Sequence, residues 1–353
     1  MSELQPPEER TDVCVICGNR RIDRSENPKS ITCQQCREEK LHYPIPKVIL
    51  IAFVIVIALV CVAMMKVPQS LQMYKTYRDA DKRVADGYIA STLFGMSEVL
   101  EKYPNSLKIS VKATDIAMEH GYYDFAAYYI QTYIEGKSLE DDTYNRLLGY
   151  TEKLDRYYAA VNAVEKVFND AAVLTMTPDD YLTYIQSHLS DLLDNYKYDK
   201  ALLYYYIGYM EPDSEKRIDY MQKCLSIDSN YLDAIANIAS VYRRQGDLAT
   251  AKSKLEEAYQ RNKENSSVLR NLAIIELLEG DYEQGVIYAE RSYINYPEGD
   301  YTADTYITAL YCNGQVELAN QVKAECEANN IYLDETLGEF LEGKISLEEY
   351  YLD

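Results

Sequence analysis

The chain has 353 residues, with 36 Lys+Arg against 57 Asp+Glu and a formal net charge of −21. Residues 1–67 are near balance, with 9 basic and 8 acidic side chains, whereas residues 68–353 carry 27 and 49. That acidity excludes a large domain held to nucleic acid or anionic lipid by its own field.

Residues 1–12 are polar and read as a disordered tail. Residues 13–42 form a small module around Cys14-Val-Ile-Cys17 and Cys33-Gln-Gln-Cys36, a C-x2-C-x15-C-x2-C pattern with zinc-site spacing. Two Cys separated by two residues can turn both sulfurs onto one ion. Two such turns supply four thiolates, which close a tetrahedron around Zn²⁺ at about 2.3 Å. Gly18 stands where a tight turn calls for positive φ. The module has few apolar residues, so the metal takes the place of a core. The stretch resembles a zinc ribbon. The resemblance implies a structural zinc on Cys14, Cys17, Cys33 and Cys36, with no position open for catalysis. Iron on four thiolates, or a pair of redox dithiols, fits the same spacing. Arg20, Arg21 and Arg24 lie between the pairs, as a solvated turn or as a contact for phosphates or an acidic partner.

Val48–Met65 is 18 consecutive residues without a charge, Pro or Gly, bracketed by Lys47 and Lys66. As a helix it covers roughly 27 Å, close to the hydrocarbon thickness of a bilayer. No polar face interrupts it, which argues against a soluble core helix. The expectation is a transmembrane helix over 47–67, with Pro68 beyond its end. Four basic residues on one flank and five on the other give no orientation. Zinc ligation needs reduced thiols, which places the N-terminus in the cytosol and the acidic domain outside it.

From Met73 the apolar spacing becomes helical, with breakers at regular intervals. Units of 34 residues start at Met73, Leu107 and Asp141, with Gly87, Gly121-Tyr122 and Asp155 at their turns and Ala126 and Ala160 at helix crossings. The phase slips between 175 and 231. A unit from Leu182 places its turn at Tyr196 and its crossing at Ala201, and Glu211-Pro212-Asp213-Ser214 sets off an extra helix to about Ile227. The clearest units follow: Leu232–Asn265, Ser266–Gly299 and Asp300–Leu333. Gly246-Asp247, Gly280-Asp281 and Gly314 mark their turns, and Ala251, Gly285 and Ala319 their crossings. Ser346–Glu349 reads as a capping box opening a last helix, so residues 334–353 are expected to cap the stack.

A helix–turn–helix unit repeating every 34 residues is the signature of the tetratricopeptide repeat (TPR), and the chain resembles that family from residue 73 to 333. The fold class is therefore mainly α: an α-α superhelical solenoid of TPR-like hairpins, plus the ribbon and one membrane helix. The resemblance implies a groove lined by the first helix of each unit. Its groove-facing positions fall on Asp233, Asn237, Ser240 and Arg244, on Arg270, Asn271 and Ile274, and on Tyr301, Thr305 and Thr308. Some family members clamp a peptide carboxylate with Asn at the places of Asn237 and Asn271, but Asp233 and Thr305 depart from that pattern. The 35 Tyr after the anchor read mainly as core residues with hydroxyls at its edge. The chain has three His (His42, His120, His188), and no nucleophile setting or phosphate loop accompanies them. The reading is a single-pass membrane scaffold, not an enzyme, whose repeats bind a protein or peptide. A ribbon contacting nucleic acid or a cytosolic partner, and an assembly factor for exported proteins, are the alternatives.

Overall fold

The structure is a computed structural model and describes residues 12–25, 27–41, 45–170, 173, 175–299 and 301–352. The expected tail lies, apart from Asp12, outside the described residues, as does His42. The chain divides into two compact units, Met1–Gln72 and Met73–Asp353.

The first unit contains the cysteine module with α1 (Gln34–Leu41) and the start of α2 (Lys47–Ala85). Every residue of the apolar stretch in α2 is exposed, and none of its best apolar window is buried inside the protein. Side chains such as Leu50, Phe53 and Val56 therefore have no protein core to enter. The helix does not stop at Pro68 but runs on to Ala85, 39 residues in all. A proline removes one N–H from the ladder, and the intact turns on either side carry the helix through it.

In the second unit the end of α2 already belongs to the repeats, with Ala80 fully buried against α3 (Ala90–Lys102) and α4 (Leu107–Glu119). Next come α5 (Tyr123–Tyr129), whose last turn widens into a π-helical segment at Ile130–Ile134, and α6 (Asp141–Phe168). The unit expected at 141–174 is not a hairpin. No Gly or Pro breaks it at Asp155, and Leu147, Leu154, Ala160 and Val164 stay in one buried stripe, so burial favours a single helix of 28 residues.

The middle also pairs differently from the expectation. After α7 (Pro178–Leu192), α8 (Lys200–Tyr209) folds back on α9 (Ser214–Ile227). The close crossing is at Gly208, where an added Cβ would meet the Tyr220 Cβ at 2.9 Å. Glu211-Pro212-Asp213 is thus the turn of a repeat, and α7 is the odd helix.

The pairs α10 (Leu232–Arg244) with α11 (Leu248–Arg261), α12 (Ser266–Glu279) with α13 (Tyr282–Asn295), and α14 (Thr302–Cys312) with α15 (Val316–Ala328) follow, and α16 (Glu335–Leu341) and α17 (Leu347–Leu352) end the chain. The Gly-Asp turns have a direct cause. Gly246 and Gly280 take φ of +81° and +85°, and the next residue caps the following helix, Asp247 accepting from Thr250 N and Asp281 from Gln284 N. Ala239, Ala251, Leu255 and Ala258 share one core, and the cores succeed one another along the chain, so each pair packs mainly on its neighbours. These pairs at 34-residue steps make the second unit a TPR-like array.

One set of contacts is not local. Gly87 O accepts from Lys263 N at 2.9 Å, and Tyr123 OH donates to Asp228 Oδ2 at 3.0 Å. Asn262 Nδ2 donates to Tyr122 OH at 2.9 Å. Inter-helix turns of the early repeats thus meet those of α9–α12 around a cleft of about 690 Å³ walled by Phe94, Tyr157 and Tyr231.

Candidate functional site

The four sulfurs of Cys14, Cys17, Cys33 and Cys36 lie within 4.8 Å of one another. Both pairs sit on turns that aim them inward. Gly18 N donates to Cys14 O at 2.9 Å with Gly18 at φ +67°, and the second pair leads into α1, where Arg37 N donates to Cys33 O at 3.1 Å. Val13 and Arg21 pair as an antiparallel bridge that closes the first loop. Thiolates 2.3 Å from a tetrahedral ion are about 3.8 Å apart, and the Cys17 and Cys33 sulfurs stand 3.9 Å apart.

Backbone N–H groups of Cys17 and Cys33 bond the Cys14 sulfur and hold its thiol down to about 6, and those of Asn19 and Arg20 lower Cys17. Hydrogen bonding with Cys33, then burial, pushes Cys36 up to about 12, because crowded sulfurs cannot all ionise without a cation. This donor set fits one tetrahedral metal ion. Arg24 is part of the scaffold, with Nη1 on Asp12 Oδ1 and Nε on Ser30 O at 3.0 and 3.1 Å. Arg20 and Arg21 are exposed.

The second candidate is the face of the first helices, α10, α12 and α14. Asn237 and Ser240 are half-buried and Arg244 is exposed. Asp233 accepts from Asn265 Nδ2 at 3.2 Å. Arg270 donates Nε to Tyr301 O at 3.2 Å and lies over the Tyr301 ring, which sits on an αL backbone with φ +61°. The remaining residues implied by the resemblance do not line open space. Ile274, Thr305 and Thr308 are fully buried, and Asn271 is 7% exposed with its Nδ2 turned onto Ser267 O of its own helix.

The cause is α17. It does not simply cap the last hairpin. α16 packs on α14, and α17 turns back onto α10 and α12. Tyr350 stacks on Phe340 of α16 with centroids 5.5 Å apart, and Tyr351 is buried in the same core as Ile274 and Ile307. Arg243, which was not among the residues implied by the resemblance, is 4% exposed. It donates Nη1 to Tyr351 O and lies over the Tyr351 ring. Burial, then the neighbouring Arg270 and Arg244, pulls Arg243 down to about 9. Three buried polar atoms here have no partner among the described residues: Arg243 Nε, Asn271 Oδ1 and Asp304 Oδ2. The signal for Arg243 was available in its position, one residue before a groove position and near the Gly246 turn. Its burial depends on α17, which lies more than a hundred residues away.

No protein-family model matches the chain, and no curated protein matches it. Solved structures similar to it include the TPR domain of P58(IPK), 13% identical over 79% of this chain and 79% of that one, with a TM-score of 0.32. A tetratricopeptide repeat protein from Parabacteroides merdae is 11% identical over 69% of this chain and 98% of that one, with a TM-score of 0.34. Yeast Tom70 is 13% identical over 71% of this chain and 61% of that one, with a TM-score of 0.35. The assignment of TPR-like architecture rests on the helix pairs themselves.

Proposed function

We propose that this protein is a single-pass membrane scaffold whose repeat face binds a protein or peptide partner. The observation that carries the reading is that the face of α10 and α12 already receives a chain segment, α17, through an aromatic anchor and a buried Arg243-to-carbonyl bond. A surface that accepts an in-chain peptide this way has the chemistry to accept one from another protein. Val48–Met65 serves as the membrane anchor, since an apolar helix exposed on every side needs an apolar solvent. The four thiols hold a structural zinc. With thiols that must stay reduced, the N-terminal module belongs in the cytosol and the repeats on the far side of the membrane.

The test is crosslinking in intact membranes followed by purification of the tagged chain. The expected result is a discrete protein partner whose capture drops at least ten-fold in Arg244→Glu. Capture unaffected by changes on this face would overturn the reading. Orientation is checked with Glu256→Cys, an exposed position on α11. An impermeant maleimide added to intact cells is expected to label it.

A further inference from the structure

We infer that α17 is a displaceable internal ligand, and that the partner which replaces it is an acidic peptide segment carrying a tyrosine. The inference rests on the scaffold reading and concerns the regulation and specificity of the same face.

Three features of the contact point this way. First, α17 has six residues, and a helix that short has little stability of its own away from the face. Second, the fit is incomplete. Arg243 Nε and Asn271 Oδ1 are buried around the contact without hydrogen bonds among the described residues. A ligand that reached those atoms would gain bonds that α17 does not make. Third, the charges do not match. Arg217 of α9, Arg243 and Arg244 of α10, and Arg270 of α12 form a basic cluster in an otherwise acidic unit, and none has a carboxylate ion pair among the described residues. Their crowding is felt: burial and then Arg244 lower Arg217. α17 has acids to offer but does not use them here. Glu349 accepts from Ser346 N at 2.6 Å and so caps its own helix, and Glu348 forms no ion pair among the described residues.

The internal segment therefore supplies the aromatic anchor and one carbonyl but forms no ion pair with Arg217, Arg243, Arg244 or Arg270. A partner segment with a tyrosine in the Tyr351 position and carboxylates toward Arg243, Arg244 and Arg270 supplies both. The intact chain is then held closed until such a segment arrives.

The experiment uses the full chain in detergent and a variant ending at Gly343. The first probe is a fluorescent peptide with the sequence of residues 344–353. It is expected to bind the shortened chain at least ten-fold more tightly than the intact chain, and Arg243→Gln in the shortened chain should remove that binding. The second probe is a peptide of glutamate and tyrosine. It should compete at least ten-fold better than its glutamine counterpart. Equal binding to intact and shortened chains, or equal competition by the glutamine peptide, overturns the inference. Because the shortened chain could misfold, hydrogen exchange on the intact chain gives a second readout. Amides of Leu347–Leu352 should exchange at least ten-fold faster when the acidic peptide is added, and unchanged protection contradicts the inference. If crosslinking captures the same partner equally with and without residues 344–353, the internal ligand fails while the scaffold stands. If no partner is captured but the peptide still binds the shortened chain selectively, the scaffold fails while the internal ligand stands.

Discussion

At the scale of single residues, the repeats depend on small side chains where helices cross. Ala258 of α11 is fully buried in the core it shares with Ala239 of α10 and Leu272 of α12. Ala258→Leu adds methylenes to a packed site and is expected to cost about 1–3 kcal/mol, measured as a lowered thermal midpoint in detergent. A change on the exposed side of the same helix, Glu257→Gln, should leave the midpoint nearly unchanged. Asp304 makes a different case. It is 1% exposed, its Oδ1 accepts from Asp334 N at 2.8 Å, and burial raises its carboxyl above the usual range. A raised acid binds its proton more tightly when folded. The fold therefore gains from this residue as pH falls through the folded pKa toward the ordinary value of about 3.9. Asp304→Asn should raise the thermal midpoint at pH 7.5, and its advantage over the natural residue should shrink as pH falls toward the ordinary carboxylate value of about 3.9. An advantage that grows on acidification would contradict this account. Ala239, Ala251 and Gly285 were legible because close crossings constrain residue size locally. The burial of Thr305 and Thr308 was not, since both are polar and occupy positions that resemble a groove lining.

At the scale of elements, legibility follows how local the determinants are. The Gly-Asp turns between α10 and α13 could be read because one residue supplies the αL backbone and the next supplies the cap. α6 departs from the 34-residue phase because no residue breaks the helix at Asp155. α8 and α9 pair outside the expected phase because the small residue at their crossing is Gly208, not Ala201, and only its neighbours Tyr220 and Met221 across the crossing mark it. The cysteine module was legible from spacing alone. Its prediction is direct: Cys33→Ser should abolish stoichiometric zinc in the purified chain, measured by metal analysis, and should unfold residues 13–41 while the helicity of the repeats persists. Retention of one zinc per chain would contradict four-thiol ligation. For α2, Val56→Arg places a charge at the middle of the apolar stretch. It should cost about 2.5–3.5 kcal/mol of insertion and lower the fraction resisting alkaline carbonate extraction. Equal extraction of both forms would contradict its role as an anchor.

At the scale of the whole molecule, two non-local features govern what the repeats can do, and no local pattern announces either. One is the meeting of early and late turns through Tyr123 and Asp228, 105 residues apart. Tyr123→Phe removes a mostly buried hydroxyl from that junction and should lower the thermal midpoint by an amount corresponding to about 1–2 kcal/mol. The other is the return of α17 onto α10 and α12, which converts part of an expected open groove into core. Both need the stack to be assembled before the contacting residues are neighbours, so periodicity along the chain carries no trace of them.

The central claim is that this face receives a protein segment. Its most direct measurement is photocrosslinking from Ser240 on α10, with Glu256 on the opposite helix of the same hairpin as the control position. Each would be replaced singly by a photoreactive residue in the full chain, expressed in cells. The account predicts a discrete protein adduct from position 240, stronger when residues 344–353 are removed, and none from position 256. Adducts of equal intensity from both positions, or from neither, would contradict it.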